Sequence, residues 1–384
     1  MTTVALGELF HFIRNGMNVK QDKSGSGLPI TRIETIADGT VDPSRVGYAG
    51  LTETDSSNWL LQDGDILLSH INSVSHIGKC AIYRGVPSKL VHGMNLLCLR
   101  SDRSKVDPEF AKYLLRSSPF RLRLANCIKE AVNQASVSIG DLQAIAVSVP
   151  PLPEQRRIAE ILDKADALRA KRRAALAQLD TLTQFIFLDM FGDPATNPKG
   201  WSIYGLSTLG EISTGKTPPT GNVGMFDGEV PFATPGDLDA NLESTQRTLT
   251  AAGSAFTRIV RAGSALVGCI GNIGKMAKTP VATAFNQQIN AVEWGSGVDD
   301  DYGIAALGFS VPQMLTLASS TTVPILNKSG FSKVRIAVPP LAMQRDFAAR
   351  ISSVGQLKLM HRAALELANE IFSTLQRRAF LGEL

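Results

Sequence analysis

The segment GNIGK (271–275) is where the chain most resembles a site for phosphate chemistry. A phosphate-binding loop of this type needs a glycine five residues before its last glycine, and a serine or threonine directly after the lysine. The chain has Cys269 and Met276 at those two places. The spacing therefore argues against a nucleotide site.

Histidine and cysteine residues offer no convincing metal or catalytic site either. His70, His76 and His92 fall in one half of the chain, but metal ligands are spaced more tightly than these residues are. The sequence contains no motif typical of serine hydrolases, zinc peptidases, dinucleotide-binding enzymes or amino-group methyltransferases. Four cysteines show no paired spacing and are expected to be buried small hydrophobic residues: Cys80, Cys98, Cys127 and Cys269. We therefore expect no catalytic residue, no metal and no cofactor in this chain.

Amide, cationic and imidazole side chains in loops are the groups that form hydrogen bonds with DNA bases and phosphates. The candidate DNA contacts in the first half are Asn18, Lys20, Lys23, Arg32, His70, Asn72, His76, Lys79, His92 and Asn95. Those in the second half are Lys216, Thr217, Asn272, Lys275, Asn286, Gln287 and Gln288. Any one of them could equally be a solvated surface group, and the run 286–288 could be turn or edge-strand chemistry. The net charge of +4 is compatible with DNA binding but does not require it.

The elements that must position these residues occur twice. Residues 149–157 read VPPLPEQRR and residues 338–346 read VPPLAMQRD, and we call the separation between residue 149 and residue 338 the repeat offset. The triplet Ala-Ala-Leu recurs at the repeat offset, at 174–176 and 363–365. Each copy follows a block of domain size. In the first block the pattern predicts strands over 28–33, 65–69 and 96–99 and a helix over 107–128.

A long helix is predicted after each proline pair. Residues 154–190 contain no glycine and no proline and would form a helix roughly 55 Å long at ~1.5 Å per residue. The apolar seam predicted on the first helix is Ile161, Ala165, Leu168, Arg172, Ala175, Leu179, Leu182 and Ile186. The repeat offset places Arg350 and then Val354, Leu357, His361, Ala364, Ala368, Ile371 and Leu375 on the second.

These patterns predict an α+β chain: two recognition domains of α/β type joined by two long helices that pack as an antiparallel coiled coil, related by a pseudo-twofold axis. An antiparallel pair needs no long structureless connection. The expected segments are a first domain over 1–149, a helix over 150–192, a second domain over 193–338 and a helix over 339–384. Two unlike readers on one spacer suit a DNA target with two different halves, since half-sites repeat every ~34–36 Å.

Composition supports a soluble globular protein, with 44% hydrophobic and 19% charged residues. No apolar run approaches the ~18 residues of a membrane span, and the first residues lack the pattern of a signal peptide. A cytoplasmic location without membrane association is therefore expected.

PITRIETIADGT (29–40), PPLPEQRRIAEIL (150–162) and FNQQINAV (285–292) resemble the specificity subunit of Type I restriction-modification systems. The likeness covers essentially the whole chain, although the second helix has Ala342 and Met343 where the first has Pro153 and Glu154. The resemblance implies two target-recognition domains, each reading half of a split sequence, and helical spacers that dock two methyltransferase subunits. It implies that those subunits carry S-adenosylmethionine, and that a restriction and translocase subunit, which uses ATP and Mg²⁺, joins them.

Two other functions remain open from the residues alone. The first is a self-contained DNA-modifying enzyme, and the second is a repeat-built protein-interaction scaffold without a DNA role. Turnover by the isolated chain would favour the enzyme. DNA affinity that is absent, or indifferent to salt, would favour the scaffold.

Arg172 and His361 occupy the same seam position in the two copies. They could simply face a partner or solvent there. Alternatively, they fix the register of the helix pair, as single polar core residues do in coiled coils. In that case, replacing both by leucine raises thermal stability and loosens the discrimination between targets with longer and shorter spacers.

Overall fold

A computed structural model describes residues 1–22, 25–131, 134–239, 242, 245–319 and 323–384. The chain divides into two compact units: Met1–Arg173 with Ala363–Leu384, and Ala174–Arg362. The predicted α+β fold class is confirmed, with two domains and long helices. No helix in the described part of the chain has both the length and the apolar character needed to cross a membrane.

The two long helices are Leu152–Phe191 and Leu341–Leu381. The first begins two residues before, and ends one residue after, the predicted span of 154–190. Proline pairs precede both helices, since proline is tolerated where a helix begins. The boundary between the two units falls inside each helix, so each unit holds one folded block and part of both helices.

The block of the first unit is built on an antiparallel four-stranded sheet, with the strand order Phe10–Asn15, Leu96–Ser101, Ile66–Ser69 and Cys80–Ile82. A second sheet has the order Ile71–Asn72, Gln134–Ser136 and Lys129–Ala131. Thr2–Ala5 pairs with Ala146–Val149, and Ile30–Thr31 pairs with Val46–Gly47. The helices are Glu53–Ser56, Pro108–Arg116, Ser118–Ala125 and Ile139–Gln143, with 3-10 turns at Leu6–Leu9, Ile33–Ile36, Ser57–Trp59 and Val74–His76.

The predicted helix over 107–128 is wrong as a single element, because it is divided into Pro108–Arg116 and Ser118–Ala125. Ser117 has an extended backbone, with ψ at 146°. Its hydroxyl accepts a hydrogen bond from the N–H of Phe120 and so caps the second helix. In one continuous helix Pro119 would be interior, where proline has no N–H to donate and clashes with the preceding turn, whereas it is tolerated in the first turn of the new helix. The predicted strand over 28–33 is reduced to Ile30–Thr31.

The block of the second unit repeats the topology of the first sheet. Its antiparallel strand order is Gly210–Thr214, Ile289–Trp294, Ala265–Gly268 and Met276–Lys278. A mixed sheet has the order Arg247–Leu249, Phe226–Ala233, Thr283–Phe285 and Ile259–Val260, and Ile203–Gly205 pairs with Arg335–Ala337. The helices are Leu206–Leu209, Ala251–Ser254, Asp300–Phe309, Val311–Leu317 and Lys328–Ser332, with a 3-10 turn at Asp237–Asp239.

The core of each unit extends onto both long helices. In the first unit, Phe110 packs on Phe380 with ring centroids 5.5 Å apart. In the second, Tyr302 packs edge-on against Phe191 at 4.9 Å. Phe110 and Tyr302 lie equally far from the N-cap of their helices, and Phe380 is the counterpart of Phe191 at the repeat offset. The duplicated sequence therefore builds the same junction twice.

Within each unit the two helical segments run antiparallel. In the first unit, Arg157 donates a hydrogen bond to the backbone oxygen of Leu384 at 2.6 Å, and Arg169 donates one to the amide oxygen of Asn369 at 2.8 Å. In the second unit, Asp180 forms an ion pair with Lys358 at 3.0 Å. Phe187 and Phe191 of that unit both pack edge-on against Phe347. As residue numbers rise along the first helix, the numbers of the residues that they contact on the second helix fall, which is the pattern of antiparallel helices.

The covered face of each helix is rotated slightly from the predicted seam. Buried or half-buried residues follow a heptad spacing on the first helix: Ile158, Leu162, Ala165, Arg169, Arg172, Leu176, Leu179, Thr183, Ile186 and Met190. The repeat offset gives the covered residues of the second: Phe347, Ile351, Val354, Lys358, His361, Leu365, Ala368, Phe372, Leu375 and Ala379. Ile161, Ala175 and Ala364 are half-buried beside these faces.

Four apolar residues of the predicted seam are exposed instead: Leu168, Leu182, Leu357 and Ile371. The prediction that they pack inside the helix pair is corrected, because their side chains lie on the flank of the covered face. On each helix, the predicted seam and the observed covered face contain similar numbers of apolar residues. The apolar pattern alone therefore could not show which of the two faces is covered. Arg172 and His361 both lie on the covered face and are half-buried, and their role in register stays a prediction.

Candidate nucleic-acid interface

Two turns of the first block are held side by side at one end of its main sheet. The N–H of Met17 donates to the backbone oxygen of His92 at 2.8 Å, and the N–H of Gly93 donates to the hydroxyl of Thr31 at 2.8 Å. A Cβ atom on Gly16 would collide with the backbone of Gly93. This close approach requires glycine and brings the loops after Phe10–Asn15 and before Leu96–Ser101 together.

A polar cleft of about 390 Å³ opens at these turns. Three predicted residues line it, namely Asn18, Arg32 and Asn95. Gln21 and Glu34, which were not predicted, line it as well. Arg32 donates through Nε to a carboxylate oxygen of Glu34 at 2.7 Å, which fixes the guanidinium at the wall of the cleft. Amide and guanidinium groups are the side chains that most often read base edges.

A second cleft of about 210 Å³ shares Ile33 and Glu34 with the first. It contains three further predicted residues, Asn72, His76 and Lys79. Asn72 accepts a hydrogen bond from the N–H of Ser73 at 2.7 Å, and Nδ1 of His76 meets the Ser73 hydroxyl at 2.8 Å. The structure thus brings six of the candidate residues of the first block onto one continuous surface.

His70 and His92 lie beneath the surface. His92 is 1% exposed, and its Nε2 donates to the backbone oxygen of Leu96 at 2.8 Å. Burial lowers the pKa of His70 to about 4, and it lowers the pKa of His92 to the same value. Both rings are therefore neutral at pH 7. The predicted DNA contact has no support for these two histidines in this conformation, because both side chains are buried.

Two lysines of the first block complete the set of candidates. Lys20 is exposed on the loop after the cleft turn, as a phosphate contact requires. Lys23 lies outside the described residues.

The second block builds the equivalent pair of turns with different side chains. The N–H of Lys216 donates to the backbone oxygen of Phe285 at 3.0 Å, as the N–H of Met17 does to His92. Gly215 approaches the backbone of Phe285 and Asn286 so closely that a Cβ atom would collide with it. The hydroxyl of Thr217 and the amide oxygen of Gln287 lie 2.6 Å apart.

Buried Asn286 organises the turn before strand Ile289–Trp294. Its Oδ1 accepts a hydrogen bond from the N–H of Gln288 at 3.0 Å, and its Nδ2 donates to Oε1 of Gln288 at 3.2 Å. The burial of Asn286 makes it a support of Gln288, and its own predicted contact with DNA is unsupported in this conformation.

The hairpin turn that carries Asn272 and Lys275 lies beside the same loop. The N–H of Cys269 donates to the backbone oxygen of Gln288 at 2.9 Å, and the N–H of Gly268 donates to that of Lys275 at 2.7 Å. Strand Met276–Lys278 follows this turn directly. A phosphate-binding loop would lead into a helix, so the context of GNIGK agrees with the spacing argument against a nucleotide site.

The buried thiols are unsuited to nucleophilic catalysis. Burial raises the pKa of Cys269 to about 11, and it also raises the pKa of Cys80 and of Cys98. These thiols are therefore protonated and poor nucleophiles at pH 7. Among the described residues, no group of three or more histidine, cysteine, aspartate or glutamate residues could hold a metal ion.

Sequence reasoning missed three contributors to these surfaces. Gln21 and Glu34 line the clefts of the first block, and the Ser69 hydroxyl is buried against the smaller one with no hydrogen-bond partner in the part of the chain that the structure describes. Gln21 and Glu34 flank the chosen residues in sequence but carry no motif. Ser69 ends a predicted buried strand, so nothing in the pattern marks it as polar lining.

Residues 1–178 and 198–368 match the family described as the Type I restriction modification DNA specificity domain. The chain is 29% identical to the putative type I restriction enzyme MjaX specificity subunit of Methanocaldococcus jannaschii, over 99% of this chain and 92% of that protein. It is 30% identical to the EcoKI specificity subunit of Escherichia coli K12, over 47% of this chain and 40% of that protein.

Solved structures share the fold at low sequence identity. The S subunit of the Type I restriction-modification system of M. genitalium matches 99% of this chain and 96% of its own, with a TM-score of 0.63 and 13% identity. A chain from work on complex assembly and conformational transition of the type I R-M system matches 100% of this chain and 98% of its own, with a TM-score of 0.59 and 18% identity.

Proposed function

Because this chain belongs to the Type I restriction modification DNA specificity family, we propose that its two blocks read the two halves of one split, asymmetric DNA sequence. DNA-sequence recognition and the docking of partner subunits are the general role of the family. Specificity subunits are the recognition components of their complexes and not the catalytic ones.

One observation carries the proposal: the same pair of turns is built twice, with different side chains. In the first block it presents Asn18 and Asn95. In the second block the equivalent positions carry Thr217 and Gln288. Equal backbone geometry with unequal hydrogen-bonding groups suits two half-sites that differ in sequence.

We further propose that the long helices form one antiparallel coiled coil with a pseudo-twofold axis. The contact between Arg169 and Asn369 has its counterpart in the ion pair of Lys358 and Asp180, because the repeat offset converts one pair into the other. Forty residues of helix span about 60 Å at ~1.5 Å per residue. Such a rod would set the separation of the two half-sites.

Four exposed apolar residues of the helices form the proposed docking surface for two methyltransferase subunits. Leu168 and Ile371 adjoin the Arg169–Asn369 contact in the first unit, and Leu182 and Leu357 adjoin the Asp180–Lys358 pair in the second. We name these the Leu168/Ile371 pair and the Leu182/Leu357 pair. The repeat offset makes them equivalent, so each would bind one copy of the same partner.

The cofactors of the reaction are proposed to reside on the partners. S-adenosylmethionine would be bound by the methyltransferase subunits, and ATP with Mg²⁺ by a restriction and translocase subunit. This chain would supply DNA selection and the frame on which those subunits assemble.

Mapping the methylated bases in cells that carry this system tests the proposal. A split motif with two different halves is the expected result. A continuous motif, or methylation by the complex without sequence preference, would overturn it. A binding assay adds an independent measurement, since phosphate contacts require that affinity fall steeply with salt.

A further inference from the structure

We propose that buried Asn286 acts as a positioning residue, which orients the Gln288 amide so that the second block selects a keto base, guanine or thymine. This inference rests on the proposed DNA-reading function and names the chemical class of base that one position of the second half-site must have. It follows from the direction of two hydrogen bonds.

The first bond fixes the amide of Asn286. A backbone N–H can only donate, so the atom of Asn286 that meets the N–H of Gln288 at 3.0 Å must be the oxygen Oδ1. The amide nitrogen Nδ2 therefore faces the side chain of Gln288. Asn286 is 7% exposed, and its own N–H donates to the backbone oxygen of Ala233 at 3.1 Å, so it is held in place.

The second bond fixes the amide of Gln288. Since Nδ2 of Asn286 is a donor, the atom of Gln288 that it meets at 3.2 Å must be the oxygen Oε1. The nitrogen Nε2 is then the end of the amide left for a ligand. The backbone of Gln288 is also anchored, because its oxygen accepts from the N–H of Cys269 at 2.9 Å. The turn therefore presents a donor.

A presented donor distinguishes bases by the group at one position of the major-groove edge. Guanine carries O6 and thymine carries O4, which accept a hydrogen bond, whereas adenine and cytosine carry amino groups that donate. An N–H₂ group facing an amino group leaves two donors opposed and unpaired. Guanine fits best, because its N7 and O6 both accept, whereas adenine N7 accepts but lies beside the N6 amino group, which opposes the presented donor.

Two substitutions that reverse the donor should reverse the preference. In Asn286→Asp the residue can only accept, so Gln288 turns its Nε2 inward and its oxygen outward. In Gln288→Glu one carboxylate oxygen accepts from Asn286 and the other faces the base. Either change should move the preference from keto to amino bases by about tenfold. The double variant opposes two carboxylates and should lose discrimination at that position.

The experiment uses the complex of this chain with its methyltransferase subunits and a DNA pool randomised at each position of the second half-site. Wild type should restrict one position to guanine or thymine. Gln288→Glu and Asn286→Asp should both shift that same position to adenine or cytosine. Exposed Gln178 lies on the first long helix, so Gln178→Glu is the matched amide-to-carboxylate control that should leave every position unchanged. Asn95→Asp should change only the first half-site.

An unchanged preference at every position in Gln288→Glu would overturn the inference, as would a weakening of binding to all sequences alike. If Asn286→Asp fails to fold, Gln288→Glu still decides, since it changes a half-buried side chain. A wild-type complex that selects no split sequence refutes the proposed function itself. A split wild-type motif with unaltered variants refutes only the role of Gln288.

Discussion

The amide oxygen of Gln155 accepts a hydrogen bond from the backbone N–H of Asp107 at 2.8 Å, and this bond ties the first long helix to the N-cap of helix Pro108–Arg116. Nε2 of Gln155 donates to the backbone oxygens of Pro150 and Lys105, both at 2.9 Å. Gln344 repeats the arrangement with Asp299, Pro339 and Gly297. Both glutamines are buried.

Replacing either glutamine by leucine should therefore destabilise its own unit. Gln155→Leu removes the partner of the Asp107 N–H and of the Pro150 and Lys105 carbonyl groups, which we expect to lower the free energy of unfolding by roughly 3 kcal/mol. Gln344→Leu should have a similar effect, measured by urea denaturation. Exposed Gln178 supplies the control, and a Gln178→Leu variant should keep wild-type stability. Equal stability of all three variants would contradict the assigned role.

The exposed apolar pairs should control how many methyltransferase subunits bind. Changing the Leu168/Ile371 pair to serine should reduce the complex from two methyltransferase subunits to one, and changing the Leu182/Leu357 pair as well should leave none. The residues are 46%, 47%, 36% and 45% exposed in that order, so the isolated chain should lose little stability. Mass measurement of the native complex reports the stoichiometry.

Leu367→Ser provides the control for that experiment. Leu367 is equally apolar and 58% exposed, but its counterpart in the first helix is Gln178, so it does not belong to a duplicated surface. It should leave both partners bound. Retention of two methyltransferase subunits by the fourfold serine variant would place the docking surface elsewhere.

The duplication and the helices could be predicted from the sequence because they depend on local and periodic features. Proline pairs, a span without glycine and the repeat offset are visible in the letters. The register of the helix pair could not be predicted, since Leu168 and Leu182 are as apolar as the residues that are covered. Which leucine is buried depends on the second helix, and the sequence pattern of the first does not contain that information.

For the candidate DNA contacts, too, only part of the structure could be predicted. The position of Asn18, Asn95 and Gln288 in turns could be predicted from their residue types and from the turn signals around them. The burial of His92 was not, because an imidazole can occupy a core in its neutral form when one ring nitrogen has a partner. The support that Asn286 gives Gln288 depends on a turn geometry fixed by distant backbone, including that of Ala233 and Cys269.

The buried His92 should make the stability of the first unit depend on pH. Its folded pKa of about 4 lies below its ordinary value of 6.5, so the unfolded chain binds the extra proton between these values. The stability that the neutral ring contributes is fully present above pH 6.5 and is lost as the pH falls toward 4. His92→Gln keeps a donor for the backbone oxygen of Leu96 and cannot be protonated.

From pH 7 to pH 5, wild type should therefore lose roughly 2 kcal/mol more unfolding free energy than His92→Gln. Urea denaturation at the two pH values measures this difference. His70 is present in both proteins and its pKa is also lowered by burial, so some pH dependence of stability will remain in the variant. Identical losses in the two proteins would show that the His92 ring becomes protonated without unfolding.

Lys216 should contribute affinity for DNA without contributing sequence preference. Its side chain is exposed beside the amide-bearing turn, while its backbone N–H is engaged with Phe285 and is unaffected by substitution. If its ammonium group meets a phosphate, Lys216→Ala should weaken binding to all sequences alike and reduce the slope of log affinity against log salt by about one.

Asn95→Ala is the matched contrast: it should keep the salt slope and relax one position of the first half-site. Titrations of the assembled complex at several salt concentrations separate the two effects, and a Lys216→Ala variant with an altered motif but an unchanged slope would instead make this lysine a base-reading residue.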